Sequence, residues 1–180
     1  ANAQKLEKDP EISGYVKLVN KDSLKANAEK LVSFGTRHTM SSTTDKDKGI
    51  GAARTWVLSK FKDYAKNSGG RMEVFLQNED LQPDGKRINK VTNLGNAIGL
   101  LKGTDPLDKR IIIISGHLDS RVSDVLNAKD YSPGANDDGS GVAAVIESAR
   151  ILSKSKFPMT ILFVAVSGEE QGLLGAKMLS

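Results

Sequence analysis

Two short apolar segments on either side of one amphipathic helix constrain the fold of this chain most strongly. Residues 111–115 read IIIIS and residues 160–166 read TILFVAV, with no alternation between polar and apolar positions. Such runs are typical of strands that are buried on both faces of a sheet. Between them, residues 139–153 carry apolar side chains at three- and four-residue steps. This order predicts a right-handed βαβ unit with a parallel pair of strands.

The part of the chain before residue 105 predicts helices followed by an antiparallel pair. A first helix is expected from Ser23, as its N-cap, to a stop at Gly35, and a second over residues 50–65. Residues 36–48 between them form a predicted loop. Period-two patterns then predict strands over residues 72–77 and 91–101, joined by an irregular connection. Residues 1–22 are interpreted as an N-terminal arm that holds a possible short helix, and another helix begins near Gly172.

Composition excludes several classes of function. The net charge is +4 with scattered lysines and no aromatic interleaving, so no nucleic-acid surface is expected. The chain has no cysteine, which rules out disulfides and thiolate metal ligands. No apolar run approaches the roughly 18 residues of a membrane span. The polar start, ANAQ, is compatible with a processed end, and a secreted or periplasmic location is expected.

Three polar clusters fall where the predicted βαβ unit would bring them together. They are GHLDS at 116–120, PGANDDGSG at 133–141 and SGEEQG at 167–172. Ligands of open α/β sheets bind beyond the carboxyl ends of the parallel strands, where these clusters lie. Acidic pairs before a helix are often only caps, and a single histidine is often structural. Five carboxylates and an imidazole at one edge, however, would repel each other unless cations neutralised them, and such ligands suit Zn²⁺.

The spacing within these clusters indicates separate roles. His117 and Asp119 are two residues apart on extended chain, so their side chains point the same way, and Asp119 can accept the second N–H of the imidazole. Glu169 and Glu170 are adjacent and point to different sides. One of them can bind metal while the other acts as a general base. A carboxylate that bridges two ions would create a two-metal hydrolytic site.

The three clusters resemble the co-catalytic zinc aminopeptidases of the M28 metallopeptidase family. The resemblance rests on GHLDS, SPGANDDGSGVAAVIESARIL and SGEEQGLLGA, on their order, and on the 20-residue step from His117 to Asp137. A looser similarity includes GTRHT at 35–39 and residues 50–61. The resemblance implies a three-layer α/β/α sandwich around a mixed, largely parallel sheet. It also implies a hydrolase whose substrates are the N-termini of peptides or proteins.

The resemblance also implies a role for each matching residue. His117 would bind one zinc ion, Asp137 would bridge two ions and Glu170 would bind the second. Glu169 would be the general acid/base, and Asp119 would hold His117 in place. The metal-activated water would attack the scissile carbonyl and the N-terminal residue would be released.

Two further expectations follow for neighbouring residues. Asp138 is expected to have a structural role at the start of the helix, and the peptide bond between Asp137 and Asp138 is expected to be cis, as is frequent in this family. His38 is interpreted as a structural residue that bonds its own loop. Ala176 stands where the family often has serine, with no consequence for the chemistry.

The resemblance covers an incomplete ligand set. The family supplies two more zinc ligands, an aspartate and a histidine, well downstream of its Glu-Glu pair, and this sequence ends ten residues after Glu170. Each ion would have two ligands here, below the usual three of a catalytic zinc. Residues 1–180 are therefore expected to form the N-terminal part of a single catalytic domain. Such a piece would bind zinc weakly, have little activity alone and need the remaining part of the domain as its partner.

Two alternatives stay open. A glutaminyl cyclase-like enzyme shares the fold with a single zinc ion, although Asp137-Asp138 followed by GSG and the EEQG segment favour the aminopeptidase. A non-catalytic binding domain on the same fold would have no reason to retain both glutamates and Asp119. The preferred substrate side chain and the oligomeric state are not determined by the sequence.

Overall fold

A computed structural model describes residues 8–180 of the chain, which form five α-helices and four β-strands. A short π-helical turn, Ala135–Gly139, leads into α4. The predicted arm at 1–22 lies partly outside the described residues. The elements in chain order are α1 Pro10–Lys17, α2 Lys21–Ser33, α3 Gly49–Ala65, β1 Met72–Leu81, β2 Thr92–Leu101, β3 Ile111–His117, α4 Ser140–Leu152, β4 Thr160–Val166 and α5 Leu174–Leu179.

The four strands form one mixed sheet in the order β1-β2-β4-β3. β1 and β2 are antiparallel, with Met72 opposite Leu101, and residues 82–91 connect them irregularly, as predicted. β2 is also antiparallel to β4. β3 runs parallel to β4, with Ile111 opposite Thr160 and His117 opposite Val166, which confirms the predicted βαβ unit.

Helices cover both faces of the sheet, so the predicted α/β/α layering is confirmed. α3 and α4 pack on one face and α2 packs against α4. On the other face, Ile98, Val164 and Val166 form a smaller cluster against which Leu179 of α5 packs. The larger core lies between the sheet and α2, α3 and α4, and it includes Leu31, Ile50, Val57, Phe61, Leu101, Val142, Ile146 and Phe163.

The first two helices begin at side-chain caps. Asp9 accepts the amides of Glu11 and Ile12 at the start of α1, and Asn20 accepts those of Asp22 and Ser23 at the start of α2. The predicted N-cap at Ser23 is therefore wrong, because the amide oxygen of Asn20 caps the helix three residues earlier. α2 ends where predicted, before Gly35 with its φ of 75°. None of the helices within residues 8–180 has the length and apolarity needed to cross a membrane.

The prediction that residues 111–115 are buried on both faces is wrong. Ile111, Ile112 and Ile113 are 59%, 46% and 53% exposed. The physical reason is that β3 is an edge strand: it pairs with β4 on one side only, and α4 packs on one of its faces. β4, by contrast, lies inside the sheet and is largely buried, as predicted.

Candidate metal centre

The three polar clusters meet at the carboxyl ends of β3 and β4. His117 is the last residue of β3, Asp137 lies in the turn before α4, and the Glu169-Glu170 pair follows β4. The imidazole Nε2 of His117 lies 2.9 Å from Oδ1 of Asp137. The Asp137 side chain is 79% exposed, so this pair faces solvent. A nitrogen and a carboxylate oxygen in contact, within reach of solvent, form a donor pair that suits a transition-metal ion such as zinc.

The orientation of His117 is fixed through Asp119, although not by the predicted atom. Nδ1 lies 3.1 Å from the backbone carbonyl oxygen of Asp119 and 3.8 Å from its carboxylate Oδ1. Nδ1 therefore donates to the carbonyl, which turns Nε2 toward Asp137. Without a metal ion, Nε2 in contact with that carboxylate carries a proton and donates it to Oδ1; a bound ion would take the place of that proton. Burial alone lowers the pKa of His117, but the charge of Asp119 and its carbonyl hydrogen bond, followed by Asp138 and Glu169, outweigh that effect and raise the pKa.

Asp138 joins the end of β3 to the start of α4. Its Oδ2 accepts the amide of His117 at 2.9 Å and its Oδ1 accepts the amide of Gly141 at 3.0 Å. A side chain at Gly141 would collide with this carboxylate, which explains the glycine. The peptide bond between Asp137 and Asp138 is cis. Both the structural role of Asp138 and the cis bond agree with the sequence-based expectations.

Asp119 has a second role that the sequence did not indicate. Its carboxylate is completely buried and accepts three hydrogen bonds, from the hydroxyl of Thr39 (3.0 Å) and from the amides of Glu169 (3.1 Å) and Glu170 (3.0 Å). Burial raises the pKa of Asp119, although His117 and these donors oppose the rise. Asp119 thus ties the loop after β4, with both glutamates, to the end of β3.

The carboxylate of Glu170 contacts an arginine instead of the His117–Asp137 pair. Its Oε2 lies 2.7 Å from Nε of Arg121. Among residues 8–180, no group of three or more His, Asp or Glu side chains is placed to hold one metal ion. Of the three predicted ligands, His117 and Asp137 are therefore together, and Glu170 lies apart from them with its Oε2 on Arg121.

Arg37 is a buried organiser of the site whose role the sequence did not reveal. Its guanidinium donates to the carbonyl oxygens of Leu118 (2.7 Å), Leu31 (3.0 Å), Pro133 (2.6 Å) and Gly134 (3.0 Å). These bonds connect the end of β3 with the loop before α4. Burial lowers the pKa of Arg37 to about 10, although the nearby charges of Asp119 and Asp138 favour its cation. Only its place in the GTRHT segment hinted at a role.

His38 is a structural residue, in agreement with the sequence-based interpretation. Its Nδ1 accepts the amide of Met40 at 3.0 Å, and its Nε2 lies 3.1 Å from the carbonyl oxygen of Val125. These two contacts require a neutral imidazole that carries its proton on Nε2. Burial favours the same form and lowers the pKa of His38.

The pKa of His38 predicts that acid destabilises the chain. Because that pKa is lowered, the contribution of neutral His38 is complete above its unfolded-state pKa of about 6.5 and is lost as the pH falls toward the folded-state value. When the pH falls from about 7 to about 5, the free energy of unfolding should decrease less in His38→Asn than in the unaltered chain. Urea unfolding of the metal-free chain measures this difference. His117→Asn is the control. Because the pKa of His117 is raised and not lowered, this variant should still lose free energy of unfolding as the pH falls. An equally steep loss in His38→Asn would contradict this account.

Comparison with known proteins identifies the segment that carries the site. Residues 96–180 match the sequence model of peptidase family M28. A probable zinc metalloprotease of Pyricularia oryzae is 44% identical over 172 residues, which are 96% of this chain and 34% of that protein. Residues 96–180 therefore belong to peptidase family M28. The chain spans between about a third and two fifths of the length of the curated relatives it matches.

Solved structures with this fold include aminopeptidases and glutaminyl cyclases. The LapA aminopeptidase of Legionella pneumophila superposes with a TM-score of 0.71 at 22% identity, over 97% of this chain and 41% of that one. A glutaminyl cyclase of Bacteroides thetaiotaomicron has a TM-score of 0.63 at 24% identity, over 84% of this chain and 47% of its own. At these identities the two likenesses establish the α/β fold and do not separate the two activities.

Proposed function

We propose that this chain supplies the metal-binding and acid–base residues of a zinc aminopeptidase that works with two ions. His117 and Asp137 would hold one ion, Asp137 and Glu170 the other, and Glu169 would be the general base. The observation that carries the proposal is the role of Asp119, which binds the amides of both glutamates while its carbonyl orients His117. The name of the Pyricularia oryzae relative supports zinc as the metal.

The residues of this chain have distinct tasks in the proposed reaction. Bound zinc would lower the pKa of a water molecule and polarise the scissile carbonyl. His117 presents Nε2 because Nδ1 is committed to the carbonyl of Asp119. Glu169 accepts the proton of the attacking water and gives it to the departing amine. Its amide is held by Oδ1 of Asp119 at 3.1 Å, which fixes the backbone from which this carboxylate projects.

A glutaminyl cyclase-like reaction with one zinc ion is the second candidate. The observation in its favour is the likeness in fold to solved glutaminyl cyclases. The adjacent Glu169 and Glu170 favour the aminopeptidase, because one glutamate can bind the second ion while the other moves the proton. Peptide or protein N-termini are the proposed substrates in either case. Export from the cytoplasm remains a prediction from the sequence.

The test compares metal content and substrate use. We expect a polypeptide of the relatives' full length to bind two zinc ions in native mass spectrometry and to release the first residue of unblocked peptides. N-acetylated copies of the same peptides are the control and should remain intact. Cyclisation of N-terminal glutamine with one bound ion would favour the cyclase instead. The 180-residue chain alone is expected to lose zinc on dialysis and to show little turnover.

A further inference from the structure

Two arginines bind Glu170 at different atoms. Nε of Arg121 contacts the carboxylate oxygen Oε2 at 2.7 Å, whereas the guanidinium of Arg87 donates to the backbone carbonyl oxygen at 2.8 Å. Arg121 is therefore the arginine that occupies one of the two oxygens through which Glu170 could bind a metal ion. Arg87 carries the same charge to the same residue without occupying the carboxylate.

Arg121 is held firmly in this position. Its Nη1 donates to the carbonyl oxygens of Val122 (3.2 Å) and Ser123 (3.1 Å), so the guanidinium is anchored on its own turn. The side chains of Arg121 and Glu170 are only 29% and 15% exposed. An ion pair that is this shielded and this well bonded is stronger than one on the open surface.

The ion pair also decides which way the carboxylate of Glu170 points. Among the described residues, the carboxylate of Glu170 forms no metal-holding group with His117 and Asp137 while its Oε2 lies on Arg121. The backbone of Glu170 is meanwhile fixed by the bond from its amide to Asp119. The glutamate can therefore change partners by rotating its side chain alone.

We propose that Arg121 is a latch that holds the carboxylate of Glu170 away from the His117–Asp137 pair and competes with the second metal ion for it. This inference rests on the proposed two-ion function. In the latched state the guanidinium supplies the positive charge that a divalent cation would otherwise provide. Arg121 is a positioning residue, because it acts on the site through Glu170.

The latch makes the binding affinities of the two ions unequal. An ion on His117 and Asp137 does not disturb Arg121, so its affinity is independent of the latch. An ion that also needs Glu170 competes with Arg121 for its carboxylate, which weakens the binding of that ion. We expect a penalty of roughly 10- to 100-fold in affinity, which corresponds to the usual contribution of a hydrogen bond that involves charged groups.

The test is a zinc titration of a polypeptide of the relatives' full length, followed by calorimetry and by native mass spectrometry. Arg121→Met removes the latch at nearly constant side-chain length, and Arg87→Met is the matched control that removes an equal charge beside Glu170. We expect Arg121→Met to tighten the second zinc-binding step by roughly 10-fold or more, because a competing charged hydrogen bond is removed, and to leave the first step unchanged. Arg87→Met should leave both steps unchanged. Urea unfolding of the metal-free variants verifies that both are folded.

Three results would overturn the latch, and they differ from failure of the proposed function. Weaker second binding in Arg121→Met would mean that Arg121 orients Glu170 toward the metal. An unchanged second step, or equal tightening in both variants, would mean that the carboxylate contact is irrelevant or that charge alone matters. If zinc binds in a manner insensitive to His117→Ala and Asp137→Ala, the proposed metal site itself is wrong and the latch falls with it.

Discussion

Replacement of Glu169 by glutamine is expected to lower kcat by about 10²- to 10⁴-fold, with zinc content unchanged. Glutamine has the same shape, but its amide cannot accept a proton from the attacking water or return it to the amine. The backbone of residue 169 should keep its place, because its amide bonds to Asp119 and not to its own side chain. The measurement is steady-state hydrolysis of an unblocked peptide by a polypeptide of the relatives' full length.

The adjacent glutamate provides the matched control. Glu170→Gln should reduce the occupancy of the second zinc ion, because the proposed ligand then carries no charge, whereas Glu169→Gln should retain both ions. This contrast separates proton transfer from metal binding at neighbouring positions. A normal rate in Glu169→Gln would remove the proposed base. A loss of zinc in Glu169→Gln would mean that Glu169 is the metal ligand and Glu170 the general base.

Replacement of Asp119 by alanine is expected to destabilise the folded chain by about 3–5 kcal/mol, even without metal. The change deprives three donors of their acceptor: the hydroxyl of Thr39 and the amides of Glu169 and Glu170. It also removes the negative charge that favours the buried cations of Arg37 and Arg54. Urea unfolding in the presence of a chelator measures the effect without any contribution from bound zinc.

A surface aspartate shows what the loss of an ordinary carboxylate costs. Asp63→Ala breaks an exposed contact with Lys66 and should leave the free energy of unfolding almost unchanged. Asp119→Asn keeps one acceptor oxygen at nearly constant volume, so its effect should lie between the two. A cost for Asp119→Ala no larger than that for Asp63→Ala would show that this carboxylate does not organise the loop of the glutamates.

Local sequence patterns were sufficient for much of the fold. The apolar segments around residues 111–115 and 160–166, with a helix between them, predicted the parallel pair that the structure has. Gly35 marked the end of α2, and the period-two pattern from Met72 located β1. These predictions succeed because helix periodicity, strand alternation and chain stops are set by neighbouring residues. The patterns also located His117, Asp137 and the two glutamates at one edge of the sheet.

Only the tertiary structure decided features that depend on residues far apart in the chain. The apolar run at 111–115 is the same on an edge strand as on a central one, so its exposure follows from sheet order alone. Asp119 reaches amides about 50 positions away, and Arg37 reaches carbonyl groups almost 100 positions away. Whether Glu170 faces a metal ion or Arg121 likewise depends on which segments the fold brings together. Sequence determined which chemical groups are present near the sheet edge, and tertiary packing determined their partners, because hydrogen bonds and charges act over distance in space and not along the chain.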